Sequence, residues 1–328
     1  MNSSKSENPR IPDQFPIISV IIPYHNNLKE AEEIVQVLFR QSYPEDRVEI
    51  ICIDNGYDKW GTNSEILRKK CVNLEEKNYI NSPYSARNRG IEAATGDILV
   101  FIDANSYPAE NWLLNGVRYL LDNNADLIAG AVDFDYDGKI TSAKITDALT
   151  SIQMKKSVEE RGVAYTANLF VRPEVFKKAG LFEEGVRSGG DVRWTSKAVN
   201  LGFKIGYAED AIVYKIARNA TELYRKRIRT GKGYFFTWKE EEPRTIWFYN
   251  FFRSLKPPSY STIKTISSDR YKSEFDNKLP GIWFHLYATA IVEQAAFVYQ
   301  YLSYVLSSRR DIDRRKKMEE RKNRRATE

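Results

Sequence analysis

Asp103 and Asn105 stand two residues apart, directly after the apolar run ILVFI at 98–102. On extended chain that spacing turns both side chains to one side, so a carboxylate and an amide could together hold one ligand. The plainer alternative is a capped turn. A second apolar run, VEIICI at 48–53, also stops at a carboxylate, Asp54, followed by Asn55 and Gly56, which equally suits an Asx turn. Gly189 and Gly190 let the backbone turn tightly before Asp191, a residue type favoured where a helix opens. Other chemistries lack their parts. With only His25 and His285, there is no histidine-rich metal site and little room for Ser-His-Asp catalysis. Neither a P-loop nor a G-x-G-x-x-G after the first strand occurs, so ATPase and nicotinamide readings lack a phosphate cradle.

The elements that must position these residues read as α/β. IISVIIPYHNN at 17–27 is a continuous apolar run ending in polar residues, the pattern of a strand covered on both faces in a parallel sheet. Asn27 and Glu30 form a capping pattern ahead of Ala31, Ile34, Val35 and Leu38 at helical spacing. With the run at 48–56 this makes a β-α-β unit. Ser82 and Pro83 open a further helix that Gly96 closes, and ILVFI follows. Right-handed crossovers predict that strands ending near Pro23, Asp54 and Asp103 line up their carboxyl ends along one edge, where open α/β sheets bind ligands. DLIAGAVDF (126–134) and YTANLFV (165–171) read as strands, PEVFKKAG (173–180) and DVRWTSKAVNLG (191–202) as helices, and the alternation stops after AIVY at 211–214.

The 328 residues, 42% of them hydrophobic, suffice for one large core and an appendage. Two cysteines, Cys52 and Cys71, exclude a disulfide framework and a four-cysteine zinc site, and point to a reducing, cytoplasmic setting. Residues 1–16 lack the organisation of a signal peptide and read as a disordered lead-in. Charge is divided unevenly: 1–215 holds 26 lysines and arginines against 31 acidic residues, whereas 216–328 holds 24 against 13. The acidic part is a poor nucleic-acid binder; the basic, aromatic part suits an anionic surface.

Five blocks occur in an order and spacing that resembles family 2 glycosyltransferases with the GT-A fold. They are ISVIIPYHNN, EIICIDNGYDK, SARNRGIEAATGDILVFIDANSYPAENWL, TANLFVRPEVFKKAGLFEE and SGGDVRWTSKAVNLGFKIGYAEDAIVY. The resemblance covers about 17–215 and makes this the catalytic domain, with 216–328 a basic helical extension. It implies transfer of a sugar from a nucleoside diphosphate sugar to an acceptor hydroxyl, with inversion at the anomeric carbon. It also implies a divalent cation, Mg²⁺ or Mn²⁺, at Asp103 and Asn105, with Asp103 also toward the ribose. An amide in place of the second carboxylate brings no charge, so weaker metal binding is expected. By the same resemblance Asp54 meets the nucleobase, and Pro23, Tyr24 and Asn26 form the first nucleotide-binding loop with Tyr24 on the base plane. Arg87 and Asn168 then line the nucleotide pocket, and Asp191 is the catalytic base. Arg89 reads as a solvated helix residue and Trp194 as core. The rival from another class is a non-catalytic sugar-nucleotide binder or membrane-surface scaffold.

The basic end contains RTIWFYNFFRSLKPPS at 244–259 and a long apolar stretch at 280–310. There Trp283, Leu286, Ala290, Phe297, Tyr301 and Val305 recur at near-helical spacing, while Glu293 near the middle argues against a membrane span. The stretch reads either as an in-plane helix at an anionic membrane surface or as a helix packed on protein. A glycan or lipid-linked acceptor would make membrane contact useful.

Overall fold

In the computed structural model, which describes residues 15–56, 64–238, 252–253, 256–259 and 276–327, every residue of Ile18–Tyr24 (β1) is buried. Alternation serves both faces of this strand. Ile18, Val20 and Ile22 pack with Ile34, Val35 and Trp112 on one side, while Ile21 packs with Ile51, Ile53 and Phe101 on the other. The chain continues through Leu28–Leu38 (α1), Val48–Asp54 (β2), Glu65–Lys70 (α2), Val72–Glu75 (β3), Pro83–Ala93 (α3) and Ile98–Ile102 (β4). The side of α1 facing the core consists of Ala31, Ile34, Val35 and Leu38, as their spacing predicts. Its capping box does not form: the Asn27 side-chain oxygen instead accepts from the His25 amide at 2.7 Å. α3 opens as expected, with Ser82 accepting from the Ser85 amide and Pro83 in the first turn.

Next come Ser106–Pro108 (β5), Trp112–Asp122 (α4), Leu127–Asp135 (β6), Ser142–Thr150 (α5), Met154–Arg161 (α6), Asn168–Val171 (β7), Pro173–Ala179 (α7), Gly190–Asn200 (α8) and Ile205–Ile216 (β8). The eight strands form one sheet in the order β3-β2-β1-β4-β7-β6-β8-β5. β1 pairs in parallel with both β2 and β4, so their carboxyl ends share an edge, as the crossover rule requires. β7 runs antiparallel between β4 and β6. β3 and β5 have no sequence signal of their own. β5 exists because it pairs antiparallel with β8, which sets Ser106 opposite Lys215. α8 begins one residue earlier than expected, with Gly189 at φ +81° as its N-cap, so Asp191 lies inside the first turn. Helices on both faces cover the sheet, giving an α/β fold.

The chain divides into two compact units: residues up to Lys139 with Thr150–Ala217, and Ile140–Leu149 with Arg218 onward. The second unit thus takes in most of α5. It also contains Ala220–Trp238 (α9) and Leu279–Thr327 (α10). α9 and α10 approach closely at Gly231, where a Cβ would run into the Glu293 carbonyl oxygen. Glu293 is paired there, accepting from Arg227 at 3.1 Å. A buried carboxylate, Asp147, accepts from the Arg218 amide at 3.0 Å, the Arg218 guanidinium at 3.2 Å and Lys226 at 3.4 Å. Among the described side chains of α10, Ile282, Thr289 and Ala296 are buried, and the six expected stripe residues are half-buried. Phe284, Tyr299, Leu302, Tyr304 and Leu306 are exposed. Among the described residues no helix is long and apolar enough to cross a membrane. Most of the aromatic segment 244–259 and residues 1–14 of the expected lead-in lie outside the described residues.

Candidate active site

At the tip of β4 the two residues singled out by their spacing do converge on one atom. It belongs to the protein: Lys215 Nζ on β8 donates to Asp103 Oδ2 at 2.9 Å, Asn105 Oδ1 at 3.1 Å and Ser106 Oγ at 2.9 Å. The other Asp103 oxygen accepts from Arg87 Nη2 at 2.7 Å. Arg87 and Lys215 are 3% and 4% exposed, and a charge that deep needs this many partners. Arg87 Nη1 donates to the Pro83 carbonyl at 3.3 Å, whereas its Nε is buried without a hydrogen-bond partner. Among the described residues no group of three or more His, Cys, Asp or Glu side chains could hold a metal ion. Sequence reasoning missed Lys215, although a signal existed. Ala211, Val213 and Lys215 are the buried members of an alternating strand whose Tyr214 and Ile216 are exposed.

Along the same edge, Asp54 ends β2 at 8% exposure, and its Oδ1 accepts from the Gly56 amide at 2.8 Å in the Asx turn that its neighbours suggested. Asn55 ties this corner together, its carbonyl bonded to His25 Nδ1 at 2.7 Å and its amide donating to the Tyr79 carbonyl at 3.1 Å. Asn26 is exposed in a left-handed conformation, φ 54°, that asparagine tolerates well. Pro23 and Tyr24 are different: both are buried in the end of β1. Tyr24 is part of the core, where burial and then the Asp54 charge push its phenol upward, so it does not present a face to a base. Arg89 is not simply solvated, since its Nε donates to the buried Glu76 at 2.9 Å. Burial would raise the Glu76 carboxyl, but the Tyr79 and Asn78 amides and Arg89 hold it below its ordinary value. Glu76 thereby fixes the loop that reaches Asn55.

Asp191 is 7% exposed and held on four sides. Oδ1 accepts from Tyr84 Oη and from the Val192 amide, both at 2.9 Å, and Oδ2 accepts from the Thr166 amide at 3.1 Å and Thr166 Oγ1 at 3.2 Å. Tyr84 sits three residues before Arg87 on α3, and the guanidinium carbon lies 5.6 Å from its ring centre. Burial first, and the Asp191 charge second, keep the Tyr84 phenol protonated far above its usual range. One helix therefore links Asp191 to Arg87, Asp103 and Lys215. Gly190 is required here because a Cβ would lie 2.8 Å from the Tyr84 ring. Asn168 does not join the cluster. It is fully buried, accepts from Trp112 Nε1 at 2.9 Å and donates to the Ala131 and Ala211 carbonyls at 2.8 Å, which occupies both ends of its amide. Trp194 is core as expected, stacked on Phe176 at 4.1 Å between ring centres and donating to the Gly180 carbonyl at 2.7 Å.

The fold agrees with what similarity shows. The family model described as "Glycosyl transferase family 2" matches residues 19–179. Glycosyltransferase AglE of Haloferax volcanii is 37% identical over 229 residues, covering 68% of this chain and 75% of that protein. The fold is shared with mannosyltransferase PcManGT from Pyrobaculum calidifontis, solved in complex with GDP-Man and Mn²⁺. That likeness has a TM-score of 0.53 at 18% identity and covers 92% of this chain and 81% of that one. It is shared too with S. aureus TarS 1–349, solved in complex with UDP-GlcNAc, at a TM-score of 0.50 and 15% identity over 88% and 92% of the two chains. The chain belongs to glycosyl transferase family 2 and is a glycosyltransferase of the GT-A fold.

Proposed function

We propose that the protein transfers a sugar from a nucleoside diphosphate sugar to an acceptor hydroxyl with inversion, in one in-line displacement. The observation that carries this reading is Asp191, a carboxylate oriented by four donors and joined through Tyr84 on α3 to the buried cation cluster. The acceptor oxygen bonds to the anomeric carbon as its proton passes to Asp191. The bond from that carbon to the diphosphate breaks, and the electron pair leaves with the diphosphate. The Thr166 hydroxyl, the longest of the four bonds, can turn its hydrogen away and free a lone pair for that proton. General-base help of this kind is worth roughly 10² to 10⁴ in rate. Asp54, Asn26 and the Asn55 corner form the side toward the nucleoside. GDP-Man and UDP-GlcNAc in the two solved neighbours support a nucleoside diphosphate sugar as donor.

The divalent cation expected at Asp103 and Asn105 fits these residues poorly. A single carboxylate is shared by two buried cations, and the amide oxygen is bonded to one of them. No step here passes through a metal. For the acceptor we propose a glycan or lipid-linked glycan, reached at an anionic membrane surface on the cytoplasmic side, with the exposed apolar residues of α10 as the contact. Co-sedimentation with phosphatidylglycerol vesicles tests that part, and no binding at low salt removes it.

The reaction is tested by NMR of the first product formed from a donor chosen by thermal shift among UDP, GDP and dTDP sugars. Inverted anomeric configuration is expected; retained configuration contradicts the single displacement.

A further inference from the structure

We infer that Lys215 performs in this chain the charge neutralisation that a divalent cation would otherwise supply, so that donor binding and departure of the diphosphate need no metal. The inference rests on the donor reading above and adds the group that receives the diphosphate. The Lys215 ammonium occupies the point on which Asp103, Asn105 and Ser106 converge, at 2.9, 3.1 and 2.9 Å. Those are hard oxygen donors of the kind a magnesium or manganese ion would take. Asp103 is the charged one among them, and Arg87 donates to its other oxygen at 2.7 Å. A dication placed beside that ammonium is repelled, whereas a diphosphate is attracted.

The strand order explains why the ammonium stays in place. Ser106 and Lys215 are register partners in the β5–β8 pair, so the lysine is aimed at the tip of β4 by backbone pairing as well as by charge. Among Asp103, Asn105 and Ser106, Asn105 is the exposed acceptor. Exchanging Asn105 for a phosphate oxygen replaces a neutral acceptor of the ammonium by an anionic one. Arg87, whose buried Nε has no hydrogen-bond partner, is a second cation bound to Asp103.

The test is calorimetric titration of UDP, GDP and dTDP into the full chain, once in EDTA and once with Mn²⁺, alongside titration of Mn²⁺ alone followed by electron paramagnetic resonance. At least one diphosphate should bind with affinities within about threefold of each other in the two buffers. Mn²⁺ alone should keep its free-ion signal. Lys215→Ala should weaken binding in EDTA by about tenfold or more, and Lys215→Arg should keep most of it. A diphosphate that binds only with Mn²⁺ overturns the inference and leaves the donor reading standing. So does a cooperatively folding Lys215→Ala that binds as tightly as the parent. Absence of binding in both buffers brings down the donor reading and the inference with it. The two buffer arms decide the matter even where Lys215→Ala does not fold.

Discussion

A buried carboxylate with four donors is a position, and Asp191 has one that few substitutions preserve. Asp191→Asn keeps the shape but turns one oxygen into a donor facing Tyr84 or Thr166, and it cannot accept the acceptor's proton. Transfer should fall by roughly 10² to 10⁴ while diphosphate affinity stays unchanged, a split that separates catalysis from binding. Equal loss of both would make Asp191 structural. Tyr84→Phe removes one of the four donors and leaves the ring in place. Turnover should drop by about tenfold with the fold intact, measured as kcat alongside the melting curve. At this scale the sequence spoke unevenly. Asp54, Asp103 and Asp191 stood out because apolar runs or glycines isolate them. Tyr24 and Asn168 looked like pocket residues, but their types also serve as core filler and as a satisfied buried amide, and packing alone decides between those uses.

Elements explain why distant residues meet. α3 carries Tyr84 toward Asp191 and Arg87 toward Asp103, and their helical spacing of three is visible in the sequence SPYSARNRG. The strand tips were legible for a similar local reason, since runs apolar on both faces read directly as central strands. What was not legible was non-local. β5 has three residues and forms only by pairing with β8, so neither its existence nor the convergence of Lys215 on Asp103 has a local signal. The contact of α8 with α3 is equally non-local, and it depends on Gly190. Gly190→Ala places a Cβ 2.8 Å from the Tyr84 ring. Over-packing of this kind costs about 1–3 kcal/mol, and displacing Tyr84 should lower turnover at temperatures where the variant is still folded. A fully active, equally stable Gly190→Ala would show that this contact yields freely.

On the scale of the whole molecule, the uneven charge visible in the sequence resolves into two units with different buried electrostatics. In the second unit, burial and then Arg218 push the Lys226 ammonium down to about 7, against the pull of Asp147. Between that value and its ordinary 10.5 the unfolded chain holds a proton that the folded chain does not, so stability rises with pH across this window. The buried phenols of Tyr24, Tyr43 and Tyr84 have the opposite sign. Each is raised in the fold, so stability falls as pH climbs past their ordinary value of 10.0. Urea unfolding should therefore show stability increasing from neutral pH to a maximum below pH 10.0, with Lys226→Met flattening the rise. A profile that falls steadily from neutral pH would contradict it. The measurement closest to the central claim is a crystal structure of the full chain with a bound nucleoside diphosphate. The expected result places the base beside Asp54, phosphate oxygens within hydrogen-bond reach of Arg87 or Lys215, and Asp191 open to the cleft across from them. A nucleotide bound elsewhere, with Asp191 sealed from it, would contradict the reading.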